Sequence, residues 1–511
     1  MTDVPTRGAG EPSRRAFLRA GGGALGAFAL AGPLGALGCT PAPAPAPGVG
    51  YGPLRPVVDP TTGLPLLRLP EGFTYESFGW TGDPMDDGTQ TPDRHDGMAV
   101  VAARGRGPHA ELTLIRNHER GPILPGAGPP LIGGGRAPVY DPFSLPGVIE
   151  GMGGGTTALT FGPDGFRGAR AALGGTLVNC AGGPTPWGTW LTCEEVVLRG
   201  RDTGARDHGY VFEVPPPSAG PASAVPITTM GLMRHEAAAV DAATGDVYLT
   251  EDNGPASGLY RYRPVRRCTR AGDLAAGGEL AMLAVAGTPH ADLRRPAPGA
   301  TFPVEWVPVP EPDADPEGFV SPGLGMPDVV GTGRSGPFLQ GEAAGGATFA
   351  RGEGCWAHRG VVYAVDTGGG AAGKGVVWAL RPGRHGRPGT LTALFVSPDE
   401  ATADNIDNIT VSPRGGLVTC EDGGGLVVDG TRRFGTRLVG LDRRAQAFVL
   451  AENAIVVESV LPGRPAVPVG DHRGIEFCGA TFSPSGRHLF VNVQVPGVTF
   501  AITGPWHRGP L

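Results

Sequence analysis

The chain has few charged residues and few aromatic residues, at 18% and 7% of its 511 positions. It carries no run of Lys and Arg, and its formal net charge is −7. This charge balance excludes nucleic acid as a partner, because phosphate backbones are bound through basic surfaces. Its seven cysteines show neither a CxxC pair nor the spacing of a zinc site.

The sequence also lacks three other signals. It has no long helical periodicity after residue 38, no Gly-x-Ser-x-Gly nucleophile motif and no phosphate-binding loop. Glycine and proline, in contrast, are abundant at 88 and 54 residues, while 40% of the chain is hydrophobic. This composition indicates turn-rich β structure in place of disorder.

Residues 1–39 predict a Tat signal peptide and therefore the Tat export machinery as a partner. A twin-arginine pattern at Arg14 precedes an uncharged, Gly/Ala/Leu-rich run. An amphipathic helix is the alternative. Cys39 is a candidate lipid anchor, although the residues before it are not in the usual order. We expect a periplasmic or secreted protein with an Ala/Pro tether over 40–50 and a single catalytic domain over 51–511.

Short hydrophobic segments of this domain repeatedly end in acids or amides. Each has a polar start, a short strand, a Gly-containing turn and a second strand with a polar end. Three copies follow the full template, at 236–252, 407–422 and 476–492, a looser one covers 353–366, and the strand ends at 112–119 and 189–195 also fit. Such paired strands with turn glycines are typical of β hairpins.

The turn glycines of these units lie roughly 55 to 70 residues apart, or about twice that where one unit is missed. This period predicts an all-β fold, a β-propeller of five or six blades with long loop insertions at the channel mouth. A β-sandwich with coincidental acids in its turns is the alternative. The Pro-rich stretch 289–341 shows no clear strand pair and is predicted to be one of the insertions.

Inner strands of a propeller end at one mouth, so the polar strand ends would converge there. Converging carboxylates are expensive to bury unless cations neutralise them. Calcium and other hard cations prefer carboxylate and amide oxygens. The candidate donors are the pairs Glu194/Glu195, Glu251/Asp252 and Glu421/Asp422, together with Glu236, Glu353, Asn405, Asp407 and Asn408.

A thiol accompanies these oxygens. Cys180 lies in a Gly/Pro-rich loop, where it is either a packed residue or a ligand, and a thiolate among carboxylates favours a transition metal such as iron over calcium. Arg351 and the segment 116–119 add donors that could hold an anion against the metals.

The motifs closely resemble those of the PhoX family of bacterial alkaline phosphatases, and the resemblance covers nearly the whole mature chain. The segments that carry it are Asn117-His118-Glu119, Asn179-Cys180-Ala181-Gly182-Gly183, Thr185-Pro186-Trp187-Gly188-Thr189-Trp190, Cys193-Glu194-Glu195, Arg234-His235-Glu236 and residues 482–494.

The resemblance implies a monomeric β-propeller that hydrolyses small phosphate monoesters outside the cytoplasm. It also implies a cofactor in which Fe3+ and Ca2+ surround a bridging oxo group. Cys180 would ligate iron, with Glu236 and Glu353 near the iron pair. Asn117 and Arg351 resemble phosphate contacts. The positions available to calcium or to the metal bridge are Glu194, Glu195, Asp252, Asp407 and Glu421.

Two departures from the family pattern concern substrate range and activity. Gly352 stands where the family often has proline, and Val495 stands where it often has histidine.

Two other functions remain open from the residues alone. One is a calcium-dependent propeller hydrolase of another class, such as a lactonase or phosphodiesterase. The other is a non-catalytic propeller stabilised by calcium.

Overall fold

The computed structural model describes residues 49–123, 137–202, 204–254, 256–319, 333–383 and 388–511. The predicted signal peptide, Cys39 and most of the tether lie outside these residues. Among the described residues, no helix has the length and apolar character needed to cross a membrane.

Short antiparallel strands make up most of the described chain. Their N-terminal group comprises β1 (Leu54–Val57), β2 (Leu67–Pro70) and β3 (Thr74–Phe78). The next two sheets contain β4 (His95–Arg104), β5 (Glu111–His118), β6 (Gly154–Gly162), β7 (Gly165–Thr176), β8 (Asn179–Pro184), β9 (Trp190–Glu194) and β10 (Val211–Val214).

The middle of the chain continues the pattern. Its strands are β11 (His235–Val240), β12 (Val247–Glu251), β13 (Leu259–Pro264), β14 (Gly278–Val285), β15 (Thr301–Val309), β16 (Gly352–His358), β17 (Val361–Asp366), β18 (Val376–Arg381) and β19 (Gly389–Val396). The helix α1 (Gly336–Ala343) precedes β16. Ser335 caps this helix by accepting a hydrogen bond from the backbone N–H of Phe338.

The last third of the described chain completes the sheets. Its strands are β20 (Ile406–Val411), β21 (Leu417–Glu421), β22 (Leu426–Val428), β23 (Thr431–Phe434), β24 (Arg437–Leu441), β25 (Ala447–Asn453), β26 (Val456–Val457), β27 (Gly470–Asp471), β28 (Phe477–Phe482), β29 (His488–Val493) and β30 (Val498–Thr503). Short 3-10 turns occupy Gly107–His109, Gly200–Asp202, Pro217–Ala219, Thr228–Met230, Asp273–Ala276 and Trp506–Arg508.

The described strands group into blades around a common axis. The inner strands β4, β8, β11, β16, β20 and β28 each contact the next, and β28 contacts β4, which closes a ring of six. Each inner strand pairs with the following strand of its hairpin, and further strands extend the blade outward. Four of the six hairpins coincide with the predicted repeat units, and the other two contain the predicted strand ends at 112–119 and 189–195. The all-β propeller prediction is confirmed, with a ring of six inner strands inside the predicted range.

The last blade contains strands from both parts of the chain. β3 forms its outer edge by pairing with β30 in the register Tyr75↔Ile502. Closing the ring with a distant strand ties the beginning of the domain to its end. The adjoining core contains Phe73, Phe500 and Trp506, all of them buried.

One expectation about the Pro-rich stretch 289–341 was wrong. β15 lies inside it and pairs with β14 on one side and with β19 on the other, so it joins the third and fourth blades. Pro303 and Pro308 lie within β15 and obscure its strand pattern. Proline is tolerated there because each half of β15 has a single partner strand, β19 for residues 301–304 and β14 for residues 304–309, so a missing N–H breaks few sheet hydrogen bonds.

Candidate metal centre

Each inner strand contains a β-bulge close to the mouth. The pairing shifts between His95 and Met98 in β4, and the other five inner strands shift after Asn179, His235, Gly352, Ile406 and Cys478. A bulge bends the strand and redirects a side chain. The residue after the shift point lines one axial cavity of about 280 Å³ in five blades, where it is Asp96, Cys180, Glu236, Glu353 or Asp407.

The sixth bulge has Gly479 at this position. Its φ is 63°, and a Cβ there would lie 2.4 Å from the carbonyl oxygen of Asp96. Close approach of neighbouring inner strands also explains why a small residue follows the cavity-lining bulge residue in other blades. A Cβ on Gly97 would lie 2.6 Å from the Cα of Ala181. The inner strands are therefore packed too tightly for a side chain at Gly97 and Gly479.

In four hairpins the second strand supplies a further carboxyl group at its end. Glu119, Glu195, Asp252 and Asp422 each follow the last residue of their strand and line the cavity, and Glu476 lies just before β28. Together with the bulge residues they bring nine carboxyl groups into one cavity, which also contains the guanidinium groups of Arg234 and Arg351.

The neighbouring members of the acid pairs do not line the cavity. Glu194 accepts hydrogen bonds from the backbone N–H of Leu177 at 2.8 Å and of Gly209 at 2.9 Å, and its Oε1 lies 2.7 Å from Nδ1 of His208. Successive residues of a strand point to opposite sides, so one acid of a pair faces the axis and the other faces the loops.

Glu421 is placed in the same way as Glu194. It is fully buried, pairs with Arg437 at 2.6 Å and accepts from the backbone N–H of Asp404 at 2.8 Å. The structure therefore does not bring Glu194 and Glu421 together with the other predicted ligands. Their oxygens hold loops of the second and fifth blades.

Asn117 is also engaged by protein groups on every side. Its amide nitrogen donates to the carbonyl oxygens of Cys180 at 2.9 Å and Ala181 at 2.7 Å. Its amide oxygen accepts from Trp190 Nε1 and from the hydroxyl of Thr192, both at 2.9 Å. All four hydrogen bonds of the amide are used. The structure places Asn117 behind the bulge that presents Cys180, outside the cavity where a phosphate would bind.

Cys180 occupies the position predicted for a ligand. Its Sγ lies 3.4 Å from the carbonyl oxygen of His235, and the thiol forms one donor group with Glu195 and Glu236. Burial raises the pKa of the Cys180 thiol, and the charges of Glu236 and Glu195 raise it further. A nearby cation would therefore be required to keep it as thiolate.

The cysteines predicted to be core residues are found there. Cys193 and Cys420 occupy the fourth position of β9 and β21, respectively, and both are fully buried in apolar clusters. Neither thiol lines the axial cavity.

The carboxyl groups of the cavity perturb one another. Burial raises the pKa of Glu236 and of Glu353, and the charge of Asp407 raises both further. Burial and the neighbouring Asp422 raise the pKa of Asp407 to about 7, although a hydrogen bond from Asn408 opposes this. So many ionised groups in one cavity are tolerated only when cations share them.

The donor atoms fit multivalent cations. Four overlapping triads have ligand atoms within 4.8 Å of one another: Asp96/Glu476/Cys478, Cys180/Glu195/Glu236, Glu236/Glu353/Asp407 and Asp407/Asp422/Glu476. Carboxylate oxygens suit hard cations such as calcium, and thiols suit transition metals. Shared members such as Glu236 and Asp407 would let neighbouring ions lie close together.

Arg351 lies at the entrance of this cavity. Its Nε donates to Asp252 Oδ1 at 2.8 Å, its Nη2 lies 3.1 Å from Glu353 Oε1, and 44% of its side chain is exposed. Arg234 lies deeper and pairs with Glu195. Arg351 is thus held by two cavity carboxylates while it remains accessible to an anion from solvent.

The sequence reasoning missed Asp96. It could have been found from the pattern of a metal-ligating residue type followed directly by a small residue. This pattern occurs at Asp96-Gly97, Cys180-Ala181 and Glu236-Ala237. The hairpin of the first blade was recognised only by its second strand, so the bulge of its first strand was not sought. The predicted residues that do meet in the cavity are Cys180, Glu195, Glu236, Asp252, Arg351, Glu353, Asp407 and Asp422.

The fold and the site define a β-propeller with an acidic axial cavity suited to several cations. The family described as alkaline phosphatase PhoX matches residues 49–123 and 151–497, and the chain belongs to this family. No curated protein sequence matches the chain.

Among solved structures, a gluconolactonase from Xanthomonas campestris is similar at 12% identity and a TM-score of 0.37, with 89% of this chain and 98% of that chain covered. A likeness at this TM-score carries no argument about function.

Proposed function

We propose that the protein is an extracytoplasmic, monomeric phosphatase that hydrolyses phosphate monoesters at a polynuclear iron/calcium site in the axial cavity. Membership of the alkaline phosphatase PhoX family supports phosphatase chemistry. The observation that carries the proposal is the convergence of nine carboxyl groups and one thiol on a cavity with an accessible guanidinium at its entrance.

The donor chemistry supports a division of the site. Cys180, Glu195 and Glu236 would hold iron, because this triad contains the one thiol among the described residues that line the cavity. The oxygen-only triads that share Asp407 would hold calcium. When bound, such ions would neutralise the charge that spreads over the phosphoryl oxygens and would lower the pKa of water.

Arg351 is the residue best placed to bind and orient the phosphoryl group. Its ion pairs use Nε and Nη2, so Nη1 retains the capacity to donate to a phosphoryl oxygen. Asp252 and Glu353 fix the plane of the guanidinium, which reduces the entropy lost when an anion binds.

The test is hydrolysis of p-nitrophenyl phosphate by purified protein of known metal content, with and without calcium and a chelator. We expect activity that follows the iron and calcium content. Calcium without iron, together with hydrolysis of a lactone or a phosphodiester but not of the monoester, would establish the other hydrolase class. An iron-free protein that stays inert after reconstitution would contradict catalysis altogether.

A further inference from the structure

A groove at the far end of the third blade is lined by arginines. β11 leaves the axial cavity at Glu236 and reaches its turn after Val240, so residues 241–246 and the segment after β13 lie at the end opposite the mouth. The groove has a volume of about 350 Å³, and its basic lining residues are Arg261, Arg263, Arg266 and Arg267.

Arg261 is held in this groove without a complete set of acceptors. Its guanidinium carbon lies 4.8 Å from the centre of the Trp306 ring, and Trp306 lies against Tyr248 at 5.8 Å. In the part of the chain that the structure describes, the buried Nε of Arg261 has no hydrogen-bond partner. The aromatic ring fixes the plane of the guanidinium, but it does not supply a hydrogen-bond acceptor.

The residues that line the groove carry a net positive charge, and the neighbouring acid Asp273 lies 3.6 Å from Arg266. Asp246 is the sole acid among the described lining residues, and its two oxygens lie 3.3 and 3.5 Å from Arg263. Arg267 donates to the backbone carbonyls of Ala242 at 3.1 Å and Ala243 at 3.4 Å, which carry no charge. A concave basic site is therefore present on a protein whose net charge is −7.

We propose that this groove binds a phosphate-type oxyanion through Arg261, Arg263 and Arg267. A guanidinium presents parallel N–H donors that match two oxygens of a phosphate, and several such groups in a groove reinforce one another. The ligand chemistry has two sources, free inorganic phosphate and the phosphate of an anionic lipid headgroup. The site is separate from the axial cavity and does not rest on the proposed phosphatase activity.

Calorimetric titration with inorganic phosphate tests the first source. The proteins compared are the wild type, Arg261→Gln, Arg267→Gln and the control Arg444→Gln, which removes an exposed guanidinium in a turn of the fifth blade. We expect one binding event to weaken about tenfold or more in the two groove variants only. Phosphate binding in the axial cavity should be the same in all four proteins. A difference between their isotherms therefore reports binding in the groove alone.

Flotation with phosphatidylglycerol vesicles and with phosphatidylcholine vesicles tests the second source. If the wild type binds the anionic vesicles and both groove variants do not, the ligand is the lipid headgroup. If the two variants lose only the calorimetric signal, the ligand is free phosphate. Isotherms that superimpose for all four proteins, together with no vesicle binding, overturn the proposal. Weakening in Arg261→Gln alone, accompanied by a lower melting temperature, attributes the effect to unfolding and overturns it as well.

Discussion

Replacing Asn117 by alanine separates two roles for this residue. Family resemblance predicts a phosphate contact, whereas the structure shows an amide whose four hydrogen bonds are all made within the protein. If Asn117 positions the bulge of β8, its loss should displace the Cys180 side chain. Substrate binding should then change only because the metal site has changed.

The magnitude follows from the groups left without this partner. Asn117→Ala removes an acceptor from Trp190 Nε1 and a donor from the carbonyls of Cys180 and Ala181, while Thr192 keeps a second bond to Asn179. An unsatisfied buried polar group costs about 1–3 kcal/mol. We expect the free energy of unfolding to fall by about 3–5 kcal/mol, since the site relaxes only partly.

The assay combines urea unfolding, iron content and the kinetics of p-nitrophenyl phosphate hydrolysis. Asp59→Ala is the matched control, because the Asp59 carboxylate accepts from the N–H of Ser77 at 2.9 Å and of Thr62 at 3.0 Å at the outer edge of the propeller. Both variants should lose stability. Iron retention should weaken about tenfold or more in Asn117→Ala only, as expected for a group that orients a ligand.

An opposite pattern would refute this reasoning. If Asn117→Ala unfolds at the wild-type urea concentration and retains its iron, while the KM for p-nitrophenyl phosphate rises, Asn117 contacts the substrate and the described arrangement is not the functional one.

Three further predictions concern the thiol, a buried histidine and the ions. Cys180→Ala should abolish iron content and phosphatase activity together, whereas Cys193→Ala should keep both; full activity of the first variant would remove the thiol from the mechanism. Burial opposes the charge of His208, but Glu194 and Asp141 raise its pKa to about 9. The pKa of this histidine in the unfolded chain is about 6.5. The contacts of protonated His208 with Glu194 and Asp141 therefore add roughly 3 kcal/mol to the free energy of unfolding below pH 6.5, and this contribution is lost as the pH rises to about 9. His208→Gln should flatten that slope in denaturation curves measured from pH 6 to 10. A chelator should lower the melting temperature of the holoprotein by about 5 °C, because nine carboxyl groups then repel one another; an unchanged value would mean that no ions are bound.

The hairpins and much of the cavity could be predicted from the sequence. A strand and its turn are local features, so the repeat of a polar start, a turn glycine and a polar end identified four hairpins, and the polar strand ends at 112–119 and 189–195 marked the other two. β15 was not predicted because its prolines conceal a strand that is completed only by pairing with β14 and β19. Asp96 was missed because the hairpin of the first blade was recognised only by its second strand, so the bulge at Asp96-Gly97 was not sought.

The sequence alone determined that acids recur at strand ends and that a thiol lies among them. Only the tertiary structure decided which acid of each pair is a candidate ligand, because adjacent side chains diverge and the bulges set which of them faces the axis. It also decided that Glu194 and Glu421 support loops and that Asn117 supports a bulge. Those roles depend on hydrogen bonds to groups distant in the chain, such as the 73 residues that separate Asn117 from Trp190.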